Sequence, residues 1–182
     1  ATAFPPLRGY KPAREPGVGR KAGKSRMEVT MLTDEVKRYV ERSVLCWLAT
    51  VDSNGMPNVS PKEIFASYAD NRIIIANIAS PGSVRNILEE ARVCVSFVDV
   101  FVQKGFKIRG SAQLIDRAEP RFTDLAASLE DMVGGKFRIN SVIEVWVDEV
   151  EAIRAPSYQF YPETTEEDQV NGAMAAYGVR PA

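Results

Sequence analysis

The run Asn71-Arg-Ile-Ile-Ile-Ala-Asn-Ile-Ala-Ser80-Pro-Gly-Ser-Val-Arg-Asn-Ile-Leu-Glu-Glu90 decides the fold, because strand chemistry gives way to helix chemistry within it. Its opening, Ile73 to Ile75, is β-branched and follows the turn pair Asp70-Asn71, which is the composition of a buried strand. It breaks at Ser80-Pro81-Gly82. Proline suits the first helical position, where its missing N–H costs nothing, and Ser80 stands where an N-cap belongs. Beyond it Val84, Ile87, Leu88 and Ala91 recur at helical spacing, which predicts a helix burying that face. A helix start lined by Ser80, Gly82, Ser83 and Arg85 has two readings. It is a capped helix with a solvated arginine, or it is an anion site. In the second reading free N–H groups, the helix dipole, two hydroxyls and Arg85 converge on a phosphate. These residues alone leave both readings open.

Working outward, the 182 residues suffice for one domain with a real core, and 45% apolar with 26% charged is ordinary globular composition. No apolar run reaches membrane-spanning length and no opening apolar segment resembles a signal peptide, so the expectation is a cytoplasmic protein with no membrane partner. Cys46 and Cys94 sit in apolar strand-like runs, as reduced core residues do. There is no histidine, which removes the commonest general base, the commonest metal ligand and every Ser-His or Cys-His nucleophile pair. No metal site is expected, and no catalytic side chain can be named. The net charge of −1 hides an asymmetry: residues 1–26 hold seven basic side chains against Glu15, a net +6, which leaves −7 on the remainder. An acidic body is a poor general binder of nucleic acid.

The order of elements follows. Residues 1–28 form a basic, Pro/Gly-rich arm, expected to be disordered or an added leader. A domain spans 29–155, and an aromatic loop with a helical tail fills 156–182. Thr33 caps a helix that runs to about Arg42. Strands are predicted over Val44–Val51, Asn58–Tyr68, Arg72–Ile78, Arg92–Val100, Phe106–Ile115 and Val142–Val150. A helix lies over Glu119–Met132, ended by Gly134-Gly135. Pro61 cannot donate to a ladder, so its strand is bulged or at an edge there. Trp47 and Trp146 read as core. Six strands, most joined without an intervening helix, predict a mostly β, α+β fold built on a closed or half-closed antiparallel barrel.

In this order the motifs resemble the pyridoxamine 5′-phosphate oxidase-like family of flavin-binding split β-barrels. The carrying residues are Leu48-Ala-Thr-Val-Asp-Ser-Asn-Gly-Met-Pro-Asn-Val-Ser-Pro-Lys62, then Ile73 to Asn77, Ser83 to Val93, and Ile108-Arg-Gly-Ser-Ala112. The ending Ser157-Tyr-Gln-Phe-Tyr-Pro-Glu-Thr-Thr-Glu-Glu resembles the tail of some short members. The implied fold is a six-stranded antiparallel split barrel of Greek-key type, and the implied cofactor is FMN, held at the interface of a homodimer. The resemblance assigns the phosphate to Ser80, Ser83, Val84, Arg85 and Asn86. It assigns the backbone facing the flavin ring to Val59, Ser60, Pro61 and Lys62, with the Lys62 cation stabilising reduced flavin. It assigns the ribityl flank to Asn77, Ile78 and Ala79, and the partner subunit's share to Lys104 and Lys107. The family often places two basic residues directly after the phosphate-site serine; here Arg85 is the only one near. The oxidase proper also carries a C-terminal Arg and His for pyridoxal phosphate, and this chain has no His. The resemblance thus implies an FMN-dependent oxidoreductase acting with a small-molecule electron donor or acceptor, other than pyridoxamine phosphate oxidation. The alternatives are a flavin carrier, store or redox sensor without turnover, and a dimeric domain whose groove holds haem, a deazaflavin or nothing.

Overall fold

The computed structural model describes residues 32–180, so the basic arm over 1–28 lies outside the described residues. The helix α1 (Asp34–Arg42) opens the described chain, and the Thr33 hydroxyl accepts from the Val36 N–H as an N-cap. Strands β1 (Cys46–Val51) and β2 (Pro57–Lys62) form a hairpin whose turn uses Gly55 at φ +81. Next come β3 (Phe65–Tyr68), β4 (Arg72–Asn77), α2 (Pro81–Glu89), β5 (Arg92–Asp99) and β6 (Lys104–Asp116). The chain ends with α3 (Phe122–Val133), β7 (Ser141–Arg154), the single turn α4 (Ser157–Phe160) and α5 (Glu166–Tyr177). Gly134, in the left-handed conformation, stops α3.

The sheet has seven strands, all antiparallel, in the order β2-β1-β5-β6-β7-β4-β3. This corrects the expected count of six. The segment read as one strand over 58–68 breaks at Glu63-Ile64, and its halves go to opposite edges of the sheet. Lys62 pairs with Cys46 on β1, whereas the Ile64 carbonyl already accepts from the Ala76 N–H beside β4. Two edges joined by so short a link force the sheet to curl back on itself, which is how the barrel forms. Pro61 lies on the edge strand β2, where its missing N–H leaves no ladder bond unmade. Gly110 marks the irregularity between β6 and β7. A Cβ there would lie 1.9 Å from the Trp146 carbonyl oxygen, so only glycine allows the strands to approach so closely.

Alternation along β4 sorts its apolar run into two cores. Ile73 and Ile75 join Leu48, Val95, Phe97 and Ile108 inside the barrel, closed at one end by Val36, Tyr39 and Val40 of α1. Ile74 and Ala76 face outward against Phe122, Leu125 and Leu129 of α3. A strand covered on both faces has no polar face to show, which explains Ile-Ile-Ile. Cys46 and Cys94 are free thiols. The tryptophans depart from expectation: Trp47 is 46% and Trp146 36% exposed. Tyr158 packs the tail down by donating its hydroxyl to the Val102 carbonyl at 2.8 Å. Thr165 and Asp168 form a capping box for α5. Among the described residues no helix is long and apolar enough to cross a membrane.

Candidate functional site

A cleft of about 490 Å³ opens where β4 runs into α2. Its walls are Asn77, Ile78, Ala79, Ser80, Pro81, Val84, Arg85, Leu88 and Glu89, with Asn140 from the approach to β7. The helix it borders does not bury the face predicted for it. Ser83, Asn86 and Ile87 go inward, while Leu88 is 73% exposed and lines the cleft with Val84. The reason is α2's neighbour: one flank lies against β1 and β2 through polar contacts, so the apolar pair Val84 and Leu88 turns to the opening.

Ser80 occupies the N-cap position, yet its side chain makes no cap bond. Its hydroxyl instead accepts from the Lys62 ammonium, which also donates to the Ser60 hydroxyl at 3.0 Å. The N–H groups of the first turn of α2 therefore keep no side-chain partner at the helix start. Lys62 is 5% exposed, and no carboxylate of the described residues forms an ion pair with it. Its cross-strand neighbour Cys46 supplies no counter-charge, because burial pushes that thiol up to about 12. Burial likewise pushes the Lys62 ammonium below its ordinary value. A second polar group is also left over: the Ser83 hydroxyl, 2% exposed, has no hydrogen-bond partner among the described residues. A buried cation, an orphaned hydroxyl and an uncapped helix start together make a place for an anion, with the helix dipole adding to the attraction.

The other sequence candidates divide as follows. Asn77 is buried and donates to the Ser141 hydroxyl at 2.9 Å, while its own carbonyl oxygen has no partner among the described residues. Ile78 accepts from the Asn140 amide at 2.8 Å and Ala79 is exposed at the rim. Arg85 is exposed at the cleft and forms no ion pair with the described residues. Asn86 turns away: its side-chain amide donates to the Thr50 hydroxyl at 3.0 Å. Val59 and Pro61 face outward on β2, opposite to Asn58, Ser60 and Lys62. Lys104 and Lys107 do not line this cleft; they pair with Glu166 at 2.7 Å and Glu151 at 3.1 Å. Sequence reasoning missed Asn140, which arrives from a distant part of the chain. It also missed Thr50 and Asn58, although Ser83 and Asn86, one turn apart, were there to signal a polar side of the helix in need of polar partners.

The family model described as pyridoxamine 5′-phosphate oxidase matches residues 32–157 of this chain. A search of curated protein sequences returned no match. Among solved structures, Group A Streptococcus HupZ is 21% identical, with 69% of this chain and 96% of that one covered and a TM-score of 0.59. An FMN-binding protein from Syntrophomonas wolfei is 15% identical, with 68% and 87% covered and a TM-score of 0.59. HutZ, the haem storage protein from Vibrio cholerae, is 16% identical, with 68% and 94% covered and a TM-score of 0.55. At these identities the similarity is one of fold.

Proposed function

We infer the function from one premise: the chain belongs to the pyridoxamine 5′-phosphate oxidase family. On that premise it is an FMN-binding flavoprotein, with the cofactor's phosphate at the start of α2 and its ring system along β2. The observation that carries this reading is the buried Lys62 ammonium, whose partners among the described residues are only hydroxyls, beside an uncapped helix. A phosphate monoester supplies the missing negative charge and accepts from the free N–H groups, the Ser83 hydroxyl and Arg85. Ser80 already holds Lys62 at that end, so Lys62 belongs to the anion cradle rather than to the far edge of a flavin ring. Ile78, Ala79, Val84 and Leu88 offer apolar surface to the rest of the molecule.

Bound flavin would supply reversible two-electron chemistry, and the chain's own residues bind, orient and screen it from water. That division of labour suits a chain with no histidine. It supports an FMN-dependent oxidoreductase working with a small-molecule electron donor or acceptor. Haem fits the cleft poorly, because none of the residues lining it is a His, Cys, Met or Tyr, the usual axial ligands of iron.

The test is the visible spectrum of the purified protein, with mass identification of whatever denaturation releases. FMN supports the reading; protein that is colourless and takes up no added FMN overturns it. Reduction of the bound flavin by NADH or NADPH separates turnover from storage. Arg85→Ala is expected to weaken FMN binding by about 1.5–2 kcal/mol, the low end for a charged contact because Arg85 is exposed. A fluorescence titration with unchanged affinity would remove Arg85 from the site.

The same reading calls for a homodimer. The cleft is open on the side of Leu88, and the outer face of β1 and β2 presents Trp47, Val59 and Pro61 to solvent. Lys104 and Lys107, which do not reach this cleft within their own chain, are the candidates to reach it from the second copy. Light scattering is expected to give twice the chain mass, and a monomer that still binds FMN tightly would contradict the arrangement.

A further inference from the structure

Helix α2 meets the β1–β2 hairpin along a polar seam rather than an apolar one. Ser80, Ser83, Asn86 and Glu89 follow one another at intervals of three and so wind slowly round the helix as it crosses the hairpin, and β2 carries Asn58, Ser60 and Lys62 at intervals of two. The two stripes are tied at successive points. At the start of the helix, Lys62 bonds Ser80 and Ser60. In its middle, the Thr50 hydroxyl accepts the Asn86 amide at 3.0 Å and the Asn58 amide at 3.2 Å. At its end, the Glu89 carboxylate accepts from the Ser53 N–H at 3.2 Å. α2 thus runs back along β2. The middle tie is the most buried, since Thr50 is 1% and Asn86 5% exposed.

The central tie has a distinctive geometry. Thr50 and Asn58 are directly opposed on β1 and β2, and among the described residues Asn86 is the helix side chain hydrogen-bonded to Thr50. One hydroxyl oxygen therefore fastens three elements at a point. Apolar helix–sheet packing tolerates sliding, because dispersion contacts have little direction, whereas two amides converging on one oxygen fix both distance and rotation. What they fix is the position of Ser80–Ser83 over Lys62. Breaking the tie leaves two amides without their acceptor, and the helix must shift to find others.

We infer that Thr50 is a positioning residue: by accepting Asn58 and Asn86 together, its hydroxyl sets the spacing between the start of α2 and the Lys62 ammonium, and so the fit of the anion between them. The inference rests on the FMN reading for its functional consequence and on the seam alone for its structural one. Two measurements keep these apart.

Thr50→Val, which keeps the shape and removes the acceptor, is expected to raise the FMN dissociation constant about tenfold, as small misplacements of a charged contact do. It is also expected to speed amide hydrogen exchange over residues 82–90 while exchange over α3 stays as in the parent. Thr50→Ser keeps the oxygen and is expected to bring both readings back to within about twofold of the parent. Leu125→Ala, in the outer core under α3, lowers stability at a remote point and is expected to leave FMN affinity unchanged. Should Thr50→Val fail to fold, Asn86→Ala carries the same expectation, since the hydroxyl there retains Asn58. Parent affinity with parent exchange in Thr50→Val overturns the inference. So does an equal affinity loss in Leu125→Ala, which would reduce the effect to general stability. If the parent protein takes up no FMN, the proposed function falls and the exchange arm alone decides the seam. Protection of 82–90 unchanged by Thr50→Val then sinks it, and selective loosening supports it.

Discussion

Lys62→Met is expected to weaken FMN binding by about 3 kcal/mol, on the order of a hundredfold, while leaving the unliganded protein as stable as the parent or more so. The opposite signs are the point of the experiment. An ammonium that is 5% exposed and held, among the described residues, only by the Ser60 and Ser80 hydroxyls is a destabilising feature of the empty protein, because burial favours its neutral form. Methionine keeps the length and removes the charge. A bound phosphate reverses the balance, since it supplies the counter-charge inside a poorly hydrated site. Linkage gives a second reading. Lys62 titrates in the folded protein below the ordinary lysine value of 10.5. Between the folded and unfolded values only the unfolded chain holds the proton, so unliganded stability rises with pH across that interval. Bound phosphate is expected to flatten this slope, and Lys62→Met to abolish it. Urea titrations across alkaline pH, with and without FMN, measure both. Loss of stability in Lys62→Met without loss of affinity would remove the lysine from the anion site.

The second large effect concerns the outer core. Glu144→Gln is expected to cost about 3–5 kcal/mol of stability, read as a shift of the urea midpoint without change of slope. Glu144 is fully buried on β7, where its carboxylate accepts from Arg72 at 2.8 Å, from Gln113 at 2.6 Å and from Arg121. Arg72 in turn stacks between the rings of Tyr68 and Trp146, at 4.6 and 4.7 Å. Glutamine would turn an amide toward groups that are all donors, leaving half-buried guanidinium charge unpaired. Burial pushes the Glu144 carboxyl up, but the three hydrogen bonds outweigh it and hold the group below its ordinary 4.5. Its contribution is therefore present above the unfolded value and lost as pH falls through the folded one. The parent is expected to lose stability on acidification through that window, and Glu144→Gln to lose less. An acid limb identical in both proteins would show that this carboxylate does not govern it. Glu144, Arg72, Gln113 and Arg121 do not line the cleft, so FMN affinity is expected to survive.

Much of the architecture could be read locally. The Asp70-Asn71 turn, the β-branched run and Ser80-Pro81 placed β4 and α2 correctly, because each signal depends on a few adjacent residues. The N-cap at Thr33 and the stop at Gly134 were legible for the same reason. The break at Glu63-Ile64 was not. Its alternation continues from strand to strand, and only barrel closure requires one segment to serve two edges. The reading of α2 failed in an instructive way. Helical spacing of Val84, Ile87 and Leu88 predicted a buried apolar face, yet only Ile87 is buried. Periodicity reports that a face exists; which face goes inward depends on the neighbour, here a strand presenting Asn58, Ser60 and Lys62.

Sequence alone determined that this chain builds an antiparallel, mostly β domain with a strand-to-helix junction chemically able to receive a phosphate, and that no histidine takes part. Those properties reside in residue types and short-range spacing, which no packing can alter. Tertiary structure decided that Lys62, eighteen residues before Ser80, lies buried against it with no carboxylate of the described residues to neutralise it. Burial and the absence of a counter-charge are properties of an environment assembled from distant segments, so no window of sequence contains them.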